Sequence, residues 1–380
     1  MPETAHGLFL FCRPGFEPDL AREVRDVAQE RGVGGRAHCV ARSGWVRFEC
    51  ADPSGAEFVA GALGRYTLVF ARQWFRTLFR EESGDPDAWP ASVLSGLEET
   101  ARRYGSKPRV RELVVEAPDS DPGRELWPLC WRLRELLEDD LRARGWLRSG
   151  ARRAPRLHVA LVPGGGLWAG VSDPSRCSPW PMGIPRLRVP GAAPSRSARK
   201  LEEAFLVLMD EHERAKSLKP GRRVVDLGAA PGGWSWQFAR RGLLVTAVDN
   251  AALAREAMDT GLVDHVRADG FRYRPDRPVD WMVCDMVKAP ERIARLVGVW
   301  AARGLARWYL FNWKLPNRDR LGELRRCRDI LLRELGRAGV RHTLRLRHLY
   351  HDREEVTGYL AVHGLPGDRF ATKGRKRSRR

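Results

Sequence analysis

The chain has 380 residues, 43% of them hydrophobic, enough for two or three folded domains, and this excludes wholesale disorder. Its 67 Lys and Arg against 48 Asp and Glu leave a net charge of +19, a field that draws polyanions: nucleic acid first, an anionic membrane surface second. Seven dispersed cysteines without a C-x-x-C pair carry no zinc or dithiol signature, and no run is apolar enough to span a membrane. The expectation is a cytoplasmic protein with reduced thiols, no metal and no membrane partner.

Residues 7–13 read as a short apolar strand stopped by Pro14-Gly15, and 18–31 as a helix with Leu20, Val24 and Val27 on one face. Residues 44–48 alternate like a strand. The stretch 69–79 mixes apolar, aromatic and basic side chains. Arg72, Trp74, Arg76 and Arg80 form either a basic–aromatic face for RNA or the snorkelling arginines of a buried helix. A long amphipathic helix over 126–146 and a strand over 157–162, closed by Gly164-Gly165-Gly166, complete a first half of small α+β modules. Residues 172–195 contain six prolines and read as a linker or an ordered irregular segment. Strands then follow at 223–227, 243–248, 279–284, 308–312 and 343–349 with helices between them, which implies a mostly parallel sheet covered on both faces. The last eight residues, 373–380, hold six basic side chains and read as a phosphate-binding disordered arm or as a solvated tail. The boundaries this pass implies are 1–55, 56–165, 166–370 with 166–195 as linker, and 371–380.

The strongest local signal is D-L-G-A-A-P-G-G-W-S at 226–235, after an apolar strand and at the start of a helix. Gly228, Gly232 and Gly233 let the backbone approach a ligand at the carboxyl end of the first strand. The spacing is not that of a dinucleotide loop, and Pro231 removes an N–H where a pyrophosphate wants donors. The ligand is therefore nucleoside-like and need not carry phosphate. Asp249 ends the second strand, where an acid accepts from ribose hydroxyls, and Asp269 ends a third strand-like stretch at 266–268, where it would meet an adenine amino group. An acidic rim also favours a sulfonium cation.

This loop resembles the cofactor motif of the FtsJ/RrmJ-type ribose 2′-O-methyltransferases. L-F-C-R-P-G-F-E at 10–17, P-M-G-I-P-R-L at 181–187, P-S-R-S at 194–197, K-L-E-E-A-F at 200–205, W-M-V-C-D-M at 281–286 and L-Y-H-D-R-E-E-V-T at 349–357 resemble the RlmM family of bacterial 23S rRNA cytidine 2′-O-methyltransferases. The resemblance covers most of the chain. It departs at Ala230, where some relatives have Cys, and at Trp313, where some have Leu. It implies a Rossmann-like α/β methyltransferase domain preceded by an α+β THUMP-type RNA-binding region. It also implies S-adenosylmethionine as cofactor, contacted by Ser197, Ala230, Pro231, Gly232, Gly233, Asp249, Asp269 and Asp285. The implied substrate is 23S rRNA, unassembled or in an early particle, with no obligate protein partner. The family's Lys-Asp-Lys-Glu reaction centre falls by motif position on Lys200, Asp285, Lys314 and Glu355.

The chemistry is consistent with those residue types. A ribose 2′-hydroxyl must lose its proton as it attacks, and a lysine accepts a proton only when neutral, against a reference pKa near 10.4. A neighbouring ammonium and burial lower that value, whereas Asp285 raises it, so the net shift is not readable from sequence. Lys314, after a strand and before Pro316, is assigned as general base. Lys200 tunes it or steadies the oxyanion, Asp285 orients it, and Glu355 holds the second lysine. Glu354 competes with Glu355, since one residue of slip in a strand exchanges faces. No Pro-Pro-aromatic run follows Asp285, as base-amine methylation would want. Neither Cys284 nor Cys327 stands where a C5 nucleophile is expected.

Overall fold

The computed structural model describes residues 2–82, 85–105, 108–148, 150–151, 153–164, 166–187 and 193–364. The expected tail at 371–380 lies outside them. The chain divides into two compact units, Met1–Pro185 and Arg186–Arg380. Among the described residues no helix is long and apolar enough to cross a membrane.

The first unit is built on one sheet. Its strands are β1 (Glu3–Thr4), β2 (Gly7–Phe11), β3 (Gly35–Cys39), β4 (Trp45–Cys50), β5 (Gln73–Glu81), β6 (Glu112–Glu116), β7 (Arg156–Val162) and β8 (Gly166–Ser172). They run in the order β3-β4-β2-β5-β8-β7-β6, with β1 on β5. Helices Glu17–Glu30 and Gly55–Ala62 complete a βαββαβ unit from β2 to β5 whose neighbouring strands are all antiparallel, the ferredoxin-like arrangement. β5 settles the ambiguity at 69–79 in favour of a strand. It lies between β2 and β8, so apolar residues occur on both its faces and leave no helical period. A bulge between Thr77 and Phe79 sends Phe75 into one apolar cluster with Phe9 and Trp168, and Phe79 into another with Trp89, Leu97 and Leu137.

The sheet corrects two expected boundaries. No break falls at 55/56, because β5 pairs with β2 on one side and β8 on the other. Gly166–Ser172 belongs to this sheet and not to a linker, since β8 forms an antiparallel hairpin with β7. Residues beyond β8 are also ordered: Gln73 Nε2 donates to Ser178 O at 3.0 Å and Trp180 O at 3.2 Å, and Met182 and Ile184 are buried.

The second unit holds β9 (Arg223–Leu227), β10 (Leu244–Val248), β11 (Val263–Val266), β12 (Val279–Cys284), β13 (Ala306–Lys314), β14 (Arg341–Arg347) and β15 (Glu355–His363). Their order is β11-β10-β9-β12-β13-β15-β14; the first five are parallel, and β15 runs antiparallel between β13 and β14. Chain order reverses beside β9, and in such sheets a crevice opens at the carboxyl ends of the strands flanking that point, here β9 and β12. Trp281, Trp300, Trp313, Tyr309 and Tyr359 are fully buried in this unit, so its large aromatic rings are spent mostly on the core.

Candidate active site

The glycine loop leaves β9 at Gly228, whose φ is +74°. A Cβ there would stand 2.3 Å from Met286 Cγ, so only glycine lets the two strand ends approach. At Gly233 a Cβ would meet Ser195 Oγ at 2.2 Å and Ser197 Oγ at 2.5 Å. Ser197 opens the helix Ser197–Leu208 and its carbonyl accepts from Trp234 Nε1 at 3.1 Å. Asp249 Oδ2 accepts from Ala230 N at 3.0 Å and Oδ1 from Ala251 N at 2.9 Å, which ties the end of β10 to the loop. Pro231 O accepts from Ala254 N at 2.8 Å. Asp269 lies differently from its expectation: β11 stops at Val266, and Asp269 sits exposed in a turn where its Oδ1 accepts from Phe271 N at 2.9 Å. Under the loop lies Asp226, fully buried, accepting from Ser235 Oγ at 2.7 Å. Burial pushes its carboxyl up to about 7 despite that hydrogen bond.

The register of β13 on β15 builds the second half of the site. It sets Lys314 opposite Glu355 and Asn312 opposite Thr357, and residues two apart on a strand share a face. Asp285 follows the last residue of β12, and Lys200 comes from the helix Ser197–Leu208. Lys314 Nζ donates to Asp285 Oδ1 at 2.8 Å and to Glu355 Oε2; Lys200 Nζ donates to Glu355 Oε1 and lies 3.9 Å from Asp285 Oδ1. The four expected reaction-centre residues therefore converge. Glu354, in the bend before β15, is exposed and paired with Arg320 at 2.7 Å, whereas Glu355 is the glutamate that meets the two lysines.

Sequence reasoning singled out neither the rest of this network nor its floor. Asn312 Nδ2 donates to Asp285 Oδ1 at 2.7 Å, and Thr357 Oγ1 lies 2.8 Å from Asn312 Oδ1 and 3.0 Å from both carboxyl oxygens of Asp352. Asp352 is fully buried, 3.9 Å from Lys200 Nζ, and closes a ring of polar contacts around the two lysines. Glu203, one turn after Lys200, accepts from the backbone N–H of Tyr350 and His351 at 2.7 and 2.9 Å and so anchors the turn before β15. The available signals were an Asn inside the apolar run 308–313 and acids inside the quoted motifs at 200–205 and 349–357.

The electrostatics favour a charged Lys314. Burial lowers Lys314, but Asp285 and Glu355 outweigh it and hold the ammonium above its usual range. Burial raises Glu355, but Lys200 and Lys314 overcome it and keep this carboxylate below its ordinary value. Asp352 is pushed up to about 7 by burial, against the pull of Lys200. The net shift that sequence left open is therefore upward: with two carboxylates at hydrogen-bonding distance Lys314 rests as an ammonium. Cys284 is buried beneath the site with its thiol pushed up to about 12 by burial, so it supplies no thiolate.

Family comparison agrees with this geometry. Residues 5–75 match the RlmM ferredoxin-like domain, and residues 193–295 match the FtsJ-like methyltransferase. Over 360 residues, covering 94% of this chain and 96% of the relative, it is 42% identical to "Ribosomal RNA large subunit methyltransferase M" of Thauera aminoaromatica. The proteins of the same name from Aromatoleum aromaticum and Methylococcus capsulatus are each 44% identical, over 94% and 93% of this chain and 96% and 98% of their own lengths. The chain belongs to the ribosomal RNA large subunit methyltransferase M family. It is thereby an S-adenosylmethionine-dependent methyltransferase of the FtsJ-like class. The site fits that cofactor. Gly228 and Gly233 leave the loop backbone bare at the carboxyl end of β9, and the carboxylates of Asp249 and Asp285 border it, as a cationic nucleoside requires.

Proposed function

We propose that the chain methylates a ribose 2′-hydroxyl, that of a cytidine, in 23S rRNA before the large subunit is assembled, with Lys314 as the general base. The observation that carries this reading is the convergence of Lys200, Asp285, Lys314 and Glu355 beside the glycine loop. The loop, with Ser197, Ala230 to Gly233, Asp249 and Asp285, would hold S-adenosylmethionine; Asp269 would join them from its turn. Bound there, the cofactor supplies an activated methyl and a positive charge.

The protein's own groups handle the proton. Lys314 faces the site as an ammonium and must shed a proton before it can take one from a hydroxyl. Any added cation near Asp285 weakens the carboxylates' hold on that proton. Glu355 divides its oxygens between the two lysines, so Lys200 keeps one oxygen occupied while Lys314 is held by the other. Asn312 fixes the Asp285 carboxylate that orients Lys314. We assign the stretch from β5 to β8 to a THUMP-type RNA-binding function, which supplies affinity while the second unit supplies chemistry. The test is mass spectrometry of 23S rRNA fragments from cells with and without the gene. One cytidine-containing fragment should lose the mass of a methyl in the deletion, and identical fragments in both would contradict the reading.

A further inference from the structure

A basin of about 850 Å³ lies in the first unit across the ends of four adjacent strands. Arg76 on β5 is paired in register with Val171 on β8, Ser172 with Arg156 on β7, and Arg156 with Glu112 on β6, next to Arg111. Three inter-strand steps span about 14 Å, several times the ~3.4 Å rise per nucleotide of a helical strand. Five arginines line the basin.

Two of the five are committed. Arg156 is buried, paired with Glu112 at 2.9 Å and donating to Ser178 O at 2.5 Å; Arg176 donates to Gly61 O and lies 3.7 Å from Asp173. Arg76, Arg111 and Arg153 have no carboxylate at ion-pair distance among the described residues, and against them the rim offers one further acid, Glu57. The floor is fixed: Ser172 Oγ lies 2.8 Å from His158 Nε2, whose Nδ1 lies 2.7 Å from Glu116. Trp74, at 4% exposure, offers no open ring for stacking a base.

We propose that this basin binds the phosphodiester backbone of single-stranded RNA, a contact that rests on the function proposed above and places its affinity element in the first unit. Guanidinium forks match phosphate oxygens, and the three uncommitted ones, Arg76 on β5, Arg111 in the bend before β6 and Arg153 in the turn before β7, line one basin as an anion track. With no stacking platform, the track reads charge and not sequence.

The test measures binding of the full chain to a mixed-sequence single-stranded RNA oligonucleotide over a range of salt. Arg76→Ala/Arg111→Ala/Arg153→Ala should weaken binding at least tenfold. It should also flatten the slope of log affinity against log salt by about 2, since each lost phosphate contact on a single strand removes roughly 0.7. The charge-matched control Arg102→Ala/Arg134→Ala/Arg142→Ala, on exposed helix faces, should stay within twofold of the parent. Arg111→Ala/Arg153→Ala alters only residues outside the strands, so it reports even where the triple variant misfolds; its slope should fall by about 1.4. Equal losses in basin and control variants, or none in either, overturn the proposal. So does competition by polyglutamate as effective as that by RNA, which would make an acidic protein the occupant. A parent chain that methylates 23S rRNA while the basin variants keep its KM would sink the basin and leave the function standing. A parent that binds RNA through the basin yet transfers no methyl would do the reverse.

Discussion

Ion pairs on helix surfaces of the first unit differ from those in the site of the second. In the first, Arg102–Glu99 at 2.8 Å and Arg142–Glu138 at 2.5 Å lie one helical turn apart with most of each arginine in solvent. In the second, the side chains of Lys200, Glu355, Asp285 and Lys314 are only 8%, 10%, 18% and 24% exposed and share partners. Water screens the first kind and returns little stability. The second kind has lost its water, so each charge depends on its neighbours, and removing one leaves another uncompensated. Chemistry needs the buried arrangement, and solubility or long-range attraction needs the exposed one.

Lys314→Met tests that contrast with the largest expected effect. Methyl transfer should fall by roughly 10²- to 10⁴-fold, as for loss of a general base, while calorimetry finds cofactor affinity within a few-fold of the parent. Because Lys314 rests protonated, kcat of the parent should climb about tenfold per pH unit on the alkaline side of neutrality, as the neutral amine becomes more abundant. A rate that is flat and then falls would mean that the ammonium itself is required.

Asp226→Asn sharpens the cost of burial. The carboxyl is pushed up to about 7 from its ordinary 3.8, so the unfolded chain ionises first as pH rises. The parent therefore loses stability between about pH 4 and pH 7 and is level above that; the asparagine variant lacks this decline. Denaturant melts at pH 4 and pH 8 should diverge by on the order of 1 to 4 kcal/mol in favour of the variant at the higher pH. Parallel curves would show that the carboxyl is not held in a low-dielectric site.

Adjacent glutamates give a smaller and cleaner contrast. Glu355→Gln should slow methyl transfer by roughly 10- to 100-fold, because a charge-assisted partner of both lysines is lost. Glu354→Gln, whose exposed carboxylate pairs with the half-buried Arg320 and with neither lysine, should stay within about twofold. Smallest of all, Arg102→Ala should shift stability by no more than about 0.5 kcal/mol.

What sequence made legible follows the same division. The loop at 226–235, Lys200, Asp285 and Glu355 lie in long motifs, and Lys314 ends an apolar strand shortly before Pro316, where residue type and position along the chain suffice. The roles of Asn312, Asp352, Glu203 and Asp226 became visible only once folding had buried them, since a polar residue's role there depends on which element passes opposite. In the first unit, β3 escaped notice because it is a polar edge strand with little burial, and β8 because Gly164, at φ +102°, makes a hairpin turn that read as a domain end. The run 69–79 was ambiguous because a central strand buried on both faces has no amphipathic period.

The most direct test of the central claim uses the bond that a 2′-O-methyl group protects. Alkali cleaves RNA through attack by the free 2′-hydroxyl, so a nucleotide methylated at that oxygen survives as part of a dinucleotide. Unmodified 23S rRNA should be incubated with labelled S-adenosylmethionine and the parent protein, then hydrolysed in alkali. The account predicts label in one alkali-stable dinucleotide, and none when Lys314→Met replaces the parent. Label recovered in a mononucleotide would mean that a base had been methylated, and would contradict it.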